Sequence, residues 1–265
     1  MTVEIMTDQR VRTVEWKDLS TLNRRESLRE LILFVPWLGA SWFFASRSWW
    51  IPALGCSFVF FLVGLRLVHD AHHANLGLSR RGHDVVMAGL SMIMLSSMHA
   101  VQFNHLRHHR HCLGEEDLEA LSAQLPAYKA ILYGPIFPVR LHHAALSKGS
   151  ERVRRWTLFE LGLVALSVVG SVFVFDVQFL LYHVTAMAIG QCLTSFFAVW
   201  TVHHHCDTSH FIARTARGRL KNIVTYNMFM HMEHHLYPGV PTCNLPKLAE
   251  RLDAVAPELQ THTAL

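Results

Sequence analysis

The stretch WWIPALGCSFVFFLVGLRLVHDAHH, residues 49–73, is an apolar run from Trp49 to Val68 that ends abruptly in His69-Asp70-Ala71-His72-His73. A helix rises about 1.5 Å per residue, so such a run is long enough to cross the hydrocarbon of a bilayer. It reads as a membrane helix whose end carries ionisable chemistry. The rest of the chain is read outward from it.

On the N-terminal side a second run, 31–45, is separated only by a short break at Arg47, with Trp42, Trp49 and Trp50 around it. Tryptophan favours the membrane–water interface, so the two runs read as a tight helical hairpin. Further along, 156–175 and 177–202 form another pair, divided at Asp176. The chain has 265 residues and is 51% hydrophobic. It could bury a large soluble core, but its apolar residues come in runs too long for that. The expected fold is all-α and integral to the membrane. Four transmembrane helices, about 31–46, 49–68, 156–175 and 177–202, form two hairpins under a cytosolic helical cap that carries the histidines. Residues 1–30 are expected to be a loose N-terminal cytosolic segment and 31–265 a single membrane domain. The run 85–101 is barely long enough to cross, and is expected to be an interfacial or re-entrant helix.

Charge gives the orientation. Basic residues gather before the first run (Arg10 to Arg29), between the pairs (Arg80 to Arg155) and after the last run (Arg214 to Lys221), leaving Arg47 alone in the two turns. The positive-inside rule then places both termini and the central segment in the cytoplasm. A net charge of +4 with no basic, aromatic-interleaved face gives no reason to expect nucleic acid as a partner. No short apolar segment with a small-residue cleavage site opens the chain, so no removable signal is expected. The five cysteines form no Cys-x-x-Cys pair and are expected as reduced thiols.

The 20 histidines are concentrated in four clusters: His69 to His73, His105-Leu-Arg-His108-His109-Arg-His111, His203-His204-His205, and His231-Met-Glu-His234-His235. His69 and His73 are four apart, so on a helix both rings share one face and can chelate one ion. His105, His108 and His109 stand at i, i+3 and i+4, and His231, His234 and His235 repeat that spacing. A lone cluster of this kind is as often a polar turn as a metal site; several together point to metal. There is no cysteine set for an iron–sulfur or structural zinc site and no His-Glu-x-x-His. Eight or more histidines exceed what one ion can take, so two ions are implied. Imidazole suits iron, copper and zinc, and the ligands alone do not choose among them.

These motifs, with the run Asn227-Met-x-x-His231-x-Glu233-His234-His235-Leu-Tyr-Pro238-x-Val-Pro241, resemble the integral-membrane fatty acid desaturase and hydroxylase superfamily, from His69 to about Leu252. The resemblance implies a non-haem centre of two iron ions, held by histidines on the cytoplasmic side, that uses O2 to attack an unactivated C–H bond. By motif, the ligands would be His69, His73, His105, His108, His109, His231, His234 and His235. His203 completes the set, with His204 as reserve; His72 is an alternative to His73. Metal-bound imidazoles usually give their other N–H to a carboxylate or carbonyl, which makes Asp70 and Glu233 candidates to orient the rings, followed by Asp117 and Asp207. Asn227 stands one helical turn before His231 and could reach the same face.

The third-box run and the preceding Arg214-Thr215 look more like the fatty-acid desaturase branch than the carotenoid ketolases and hydroxylases, which remain the alternative together with acyl hydroxylation. The substrate would be a lipid or acyl thioester, with Leu90, Met92, Met94 and Met98 as possible tunnel residues. Electrons would come from a separate ferredoxin or cytochrome, for which Arg214 to Lys221 is a possible dock. A membrane metal carrier is the reading from another class. It requires polar residues inside the spans, where His183 and Gln191 are the candidates.

Overall fold

The computed structural model describes residues 5–175, 177–208 and 210–264, and among them the regular structure is helical. Four helices are long and apolar enough to cross a membrane: α1 (Arg24–Ser46), α2 (Trp50–His72), and two later ones, Glu151–Val174 and Gln178–His203. Helix α1 begins on a capping box. Asn23 Oδ1 accepts from the backbone N–H of Arg25 and Glu26 at 2.9 and 3.0 Å, while Glu26 Oε2 accepts from the Asn23 N–H at 2.8 Å. It ends where Ser48 turns left-handed (φ 58°), and α2 folds back along it. The two helices share a buried hydrogen bond of 2.7 Å between the Ser41 and Ser57 hydroxyls.

The expected single helix over 85–101 is instead two, α3 (Arg80–Met94) and α4 (Met98–His111), bent by 111° at a short break. Leu95 adopts φ 57° and ends α3. The Ser97 hydroxyl then caps α4 by accepting from the Ala100 N–H at 3.2 Å. The carbonyls freed at the end of α3 are satisfied from the last membrane helix: His183 Nε2 donates to Ile93 O at 2.8 Å and Gln191 Nε2 to Met94 O at 2.6 Å. An apolar run gave no sign of this break, because the groups that stabilise it lie ninety residues away. Where α2 and α3 approach, a Cβ on Gly64 would stand 2.7 Å from Met94 Sδ, so only glycine fits there without displacement.

Helix α5 (Phe137–Lys148) leads to α6 (Glu151–Val174) and α7 (Gln178–His203). Asp176, expected as the turn between the last two, lies outside the described residues. Helix α6 packs on α3, α4 and α5, whereas α7 packs on α1 and α2. Near its end α7 widens into a π-helical stretch, Ser195–Trp200, pinned by Ser195 Oγ to Ala130 O at 3.0 Å and Trp200 Nε1 to Leu125 O at 2.8 Å. Short helices α8 (His231–Leu236) and α9 (Leu245–Val255) follow.

The N-terminal stretch is not loose where it is described. Ile5, Val11, Val14 and Leu19 join a buried cluster with Met232, Leu245, Leu248 and Leu252. The Tyr237 hydroxyl donates to Val11 O at 2.5 Å, and Arg251 pairs with Asp18 at 2.7 Å. Its apolar residues are too scattered to advertise this, since they pack as isolated knobs on the face of α9.

Candidate metal centre

Nine histidines converge at one end of the helices, in two groups. His69, His73, His105, His109 and His234 form the first; His108, His203, His231 and His235 form the second. Within each, one nitrogen per ring lies within 4.8 Å of the others. Helix α2 delivers His69 in its last turn and His73 as its C-terminal cap, α4 delivers His105, His108 and His109, α7 ends on His203, and α8 carries the remaining three.

The two His-x-x-His-His triplets are divided in opposite senses. In α4 the i, i+4 pair His105 and His109 goes to the first group and His108 to the second. In α8 the i, i+4 pair His231 and His235 goes to the second and His234 to the first. Residues four apart share a helical face, while the residue at i+3 points about a quarter of a turn away from the middle of that pair. Each helix thus serves both groups and ties them together.

The ring nitrogens face one another. In the first group, Nε2 of His105 is 3.0 Å from that of His73 and 3.2 Å from that of His109, which is 2.9 Å from His234 Nε2. In the second group, His108 Nε2 is 3.1 Å from His203 Nε2 and 3.2 Å from His235 Nε2, and His231 Nε2 is 3.0 Å from that of His203. The opposite nitrogens of His203, His108 and His105 are held by acceptors. His203 Nδ1 donates to Ile212 O at 2.8 Å, and His108 Nδ1 donates to Asp117 Oδ2 at 2.7 Å. A neutral imidazole that donates from Nδ1 keeps a lone pair on Nε2. Two such lone pairs 3.1 Å apart repel, so the site needs positive charge between them.

A proton could supply part of it. Burial opposes charge on His108, but the Asp117 carboxylate, Cys112 and the Glu119 charge together outweigh it and raise its pKa well above the ordinary value. A proton on one ring cannot serve all nine, though. Burial, with neighbouring imidazoles, holds His105, His231, His234 and His235 well below their usual range, and His69 Nε2 is buried with no hydrogen-bond partner. Neutral rings with converging lone pairs are the state a metal ion requires. The spacing also fits, since nitrogens at right angles around one ion, each about 2.1 Å from it, stand about 3 Å apart.

Asp117, in a run of acids that could have been solvated surface, is buried and also accepts from the backbone N–H of Leu113, Glu119 and Ala120. Glu119, which the sequence did not single out, lies 3.2 Å from His105 Nδ1, and burial pushes its pKa up to about 7. Only its place in the acidic run after the second triplet pointed that way.

Other expected partners lie elsewhere. Asp70 Oδ1 accepts from the Thr242 N–H and hydroxyl, both at 2.9 Å, and no imidazole. Glu233 takes the Thr215 hydroxyl at 2.6 Å and Arg217 at 2.5 Å. Asp207 accepts from His210 rather than from the clustered rings. Asn227 has φ 63°, and α8 starts only at His231, so no continuous turn carries its amide to the histidine face. Of the reserves, His72 Nε2 donates to Met98 O at 3.1 Å, and His204 Nδ1 donates to Ala123 O at 3.2 Å while stacking on Trp200; neither joins a group.

A mostly apolar cavity of about 80 Å³ reaches His69, His105, His231 and His234. Its apolar walls include Val101, Phe137, Leu141, Phe197 and Val199. Leu90, Met94 and Met98, expected as lining, are instead packed in the core, and Met92 is exposed. Arg214 and Arg217 are turned inward as well: Arg214 Nε donates to His204 O and Arg217 pairs with Asp253. Arg214 and Arg217 thus clasp the protein's own chain, while Arg219 is exposed.

Four membrane-length helices, two of which meet α4 and α8 at one end to gather nine histidines into two groups, define a histidine-centred integral membrane protein. The sequence profile of the family described as fatty acid desaturase matches residues 47–264, and the chain belongs to that family. It is also similar to the sphingolipid delta(4)-desaturase/C4-monooxygenase of Bos taurus, with 23% identity over 209 residues, 74% of this chain and 62% of that protein. The chain therefore spans about three fifths of the length of that relative.

Proposed function

We propose that the protein is an O2-dependent oxidoreductase that removes hydrogen from, or hydroxylates, a C–H bond of a lipid acyl chain, with desaturation as the main outcome. The observation that carries this reading is the pair of histidine groups with facing Nε2 atoms beside an apolar cavity. His69, His73, His105, His109 and His234 would hold one iron ion, and His108, His203, His231 and His235 the other. When bound, the iron pair would supply O2 activation and C–H oxidation, drawing electrons from a separate ferredoxin or cytochrome.

The chain's own residues do the rest. Asp117 and Glu119 fix the ring orientation of His108 and His105, and the Ile212 carbonyl fixes His203. Burial favours the neutral form of His105, His231, His234 and His235 and keeps water scarce, and the apolar walls hold a methylene chain against the centre. Hydroxylation is the second outcome, because the same positioning serves both and the bovine relative's name carries both activities. The arrangement proposed in the membrane is two helical pairs with the histidine end cytoplasmic, which the distribution of basic residues supports.

A metal carrier is disfavoured because His183 and Gln191, the candidates for an ion path, are spent on the carbonyls at the α3 break. The deciding experiment is the acyl profile of cells expressing the chain with a ferredoxin or cytochrome donor under oxygen, beside His234→Ala. A new unsaturated or hydroxylated acyl product, absent with His234→Ala, is expected; an unchanged profile from an iron-loaded protein would rule out acyl chains as the substrate.

A further inference from the structure

Buried polar atoms without partners are costly, and where several gather an absent polar group is implied. Among the described residues, eleven buried side-chain nitrogen and oxygen atoms lack a hydrogen-bond partner. Five of them belong to one patch: Glu30 Oε2, Arg66 Nε and Nη1, His69 Nε2 and Asp70 Oδ2. His69 Nε2 faces the histidine groups. Of the other four, Arg66 Nη1 and Glu30 Oε2 face each other as an ion pair, which leaves Arg66 Nε and Asp70 Oδ2 without a partner; Arg66 is only 3% exposed and lines the apolar cavity beside His69 and Thr242.

Arg66 is not a free cation. Its Nη1 pairs with Glu30 Oε2 at 2.5 Å, and Asp70 follows one helical turn later on α2. The pair is sealed from water, with Glu30 also 3% exposed on its side chain, and Arg29 reaches the other Glu30 oxygen at 3.1 Å from the surface. The charge on Arg66 is already balanced, while its Nε–H remains unsatisfied beside an otherwise greasy cavity. Such a donor suits a neutral oxygen acceptor. A carboxylate or phosphate would add a negative charge next to Glu30 and Asp70 with no cation left to balance it.

We propose that Arg66, set by Glu30, holds the polar head of the substrate, and that this head is an uncharged hydroxyl or amide rather than an anion. The assignment rests on the acyl-oxidising reading of the same site. It also fixes the region of attack. Arg66 precedes His69 by three residues, about 4.5 Å along the helix, so the carbons presented to the histidine groups adjoin the head rather than the middle of the chain.

The test is competition for radiolabelled octadecan-1-ol bound to the iron-loaded protein in nanodiscs, without reductant. N-(2-hydroxyethyl)octadecanamide and unlabelled octadecan-1-ol should compete at least tenfold better than octadecane or octadecanoate. Arg66→Met should bring the alcohol and amide down to the level of octadecane. Glu30→Gln, which leaves the guanidinium unbalanced, should move the preference at least tenfold towards octadecanoate. Equal competition by octadecane, a wild-type preference for octadecanoate, or an Arg66→Met protein that keeps the wild-type ranking would each overturn the assignment. If Arg66→Met does not fold, the wild-type ranking and Glu30→Gln still decide it. Because the ranking is read without turnover, it separates from the oxidation itself: oxidised product with no head preference removes the role of Arg66 alone, whereas the preference without product leaves that role standing and removes the proposed reaction.

Discussion

The molecule buries histidine in two ways, and the contrast separates a structural ring from one suited to metal. His99, 1% exposed, stands between two acids. Its Nδ1 donates to Glu160 Oε1 at 2.6 Å and its Nε2 to Asp84 Oδ1 at 3.1 Å, with the ring stacked on Trp156. Every nitrogen has an acceptor. In the nine-histidine centre, by contrast, the second nitrogen of each ring meets other nitrogens or nothing. Residue type is the same in both places, and most of the rings are buried in both; what differs is the group opposite the second nitrogen.

That contrast can be broken by mutation. The largest effect is expected from His108→Ala, which removes a member of the four-histidine group. Elemental analysis should show loss of one of two irons per chain, and product formation should vanish; retention of both irons would remove His108 from the ligand set. Next come Asp117→Asn and Glu119→Gln, which keep the ligands but release the rings they orient. Metal affinity or activity should fall roughly 10–100-fold, measured by chelator competition and turnover. Glu160→Gln should sharpen the comparison from the other side. Glu160 accepts from the Ser97 hydroxyl, the His99 backbone N–H and the His99 ring, so losing its charge should cost about 3 kcal/mol in unfolding measurements. Iron per folded chain should stay unchanged. The smallest effect is expected from His204→Ala, adjacent to His203 but outside both groups; iron content equal to wild type is the outcome to look for, and loss of one iron would shift the register by a residue.

The sequence made the histidines legible because their chemistry forces a spacing. Three rings can serve two neighbouring ions from one helix only at offsets such as i, i+3 and i+4, so the pattern is written locally. The four long apolar helices were legible for the same kind of reason, since bilayer thickness dictates run length. What stayed hidden depends on distant parts of the chain. The α3–α4 break looks continuous in the sequence, but is held by His183 and Gln191 from α7. Asp70 sits inside the first histidine motif yet serves Thr242, whereas Glu119, with no motif around it, reaches His105. Asn227 failed because Tyr226 and Asn227 both turn left-handed just before α8, which helical spacing cannot anticipate.

The sharing of each histidine triplet between the two groups also sets a timetable. A ribosome delivers His69 first and His235 last, and the first group needs His234 while the second needs His231 and His235. The apolar helices would therefore enter the membrane while the proposed binding set is still unfinished, and loading of the proposed iron pair would belong to the end of biosynthesis. A chain arrested before residue 231 would be membrane-inserted yet hold neither group complete, leaving cellular quality control an inserted but metal-poor product to clear.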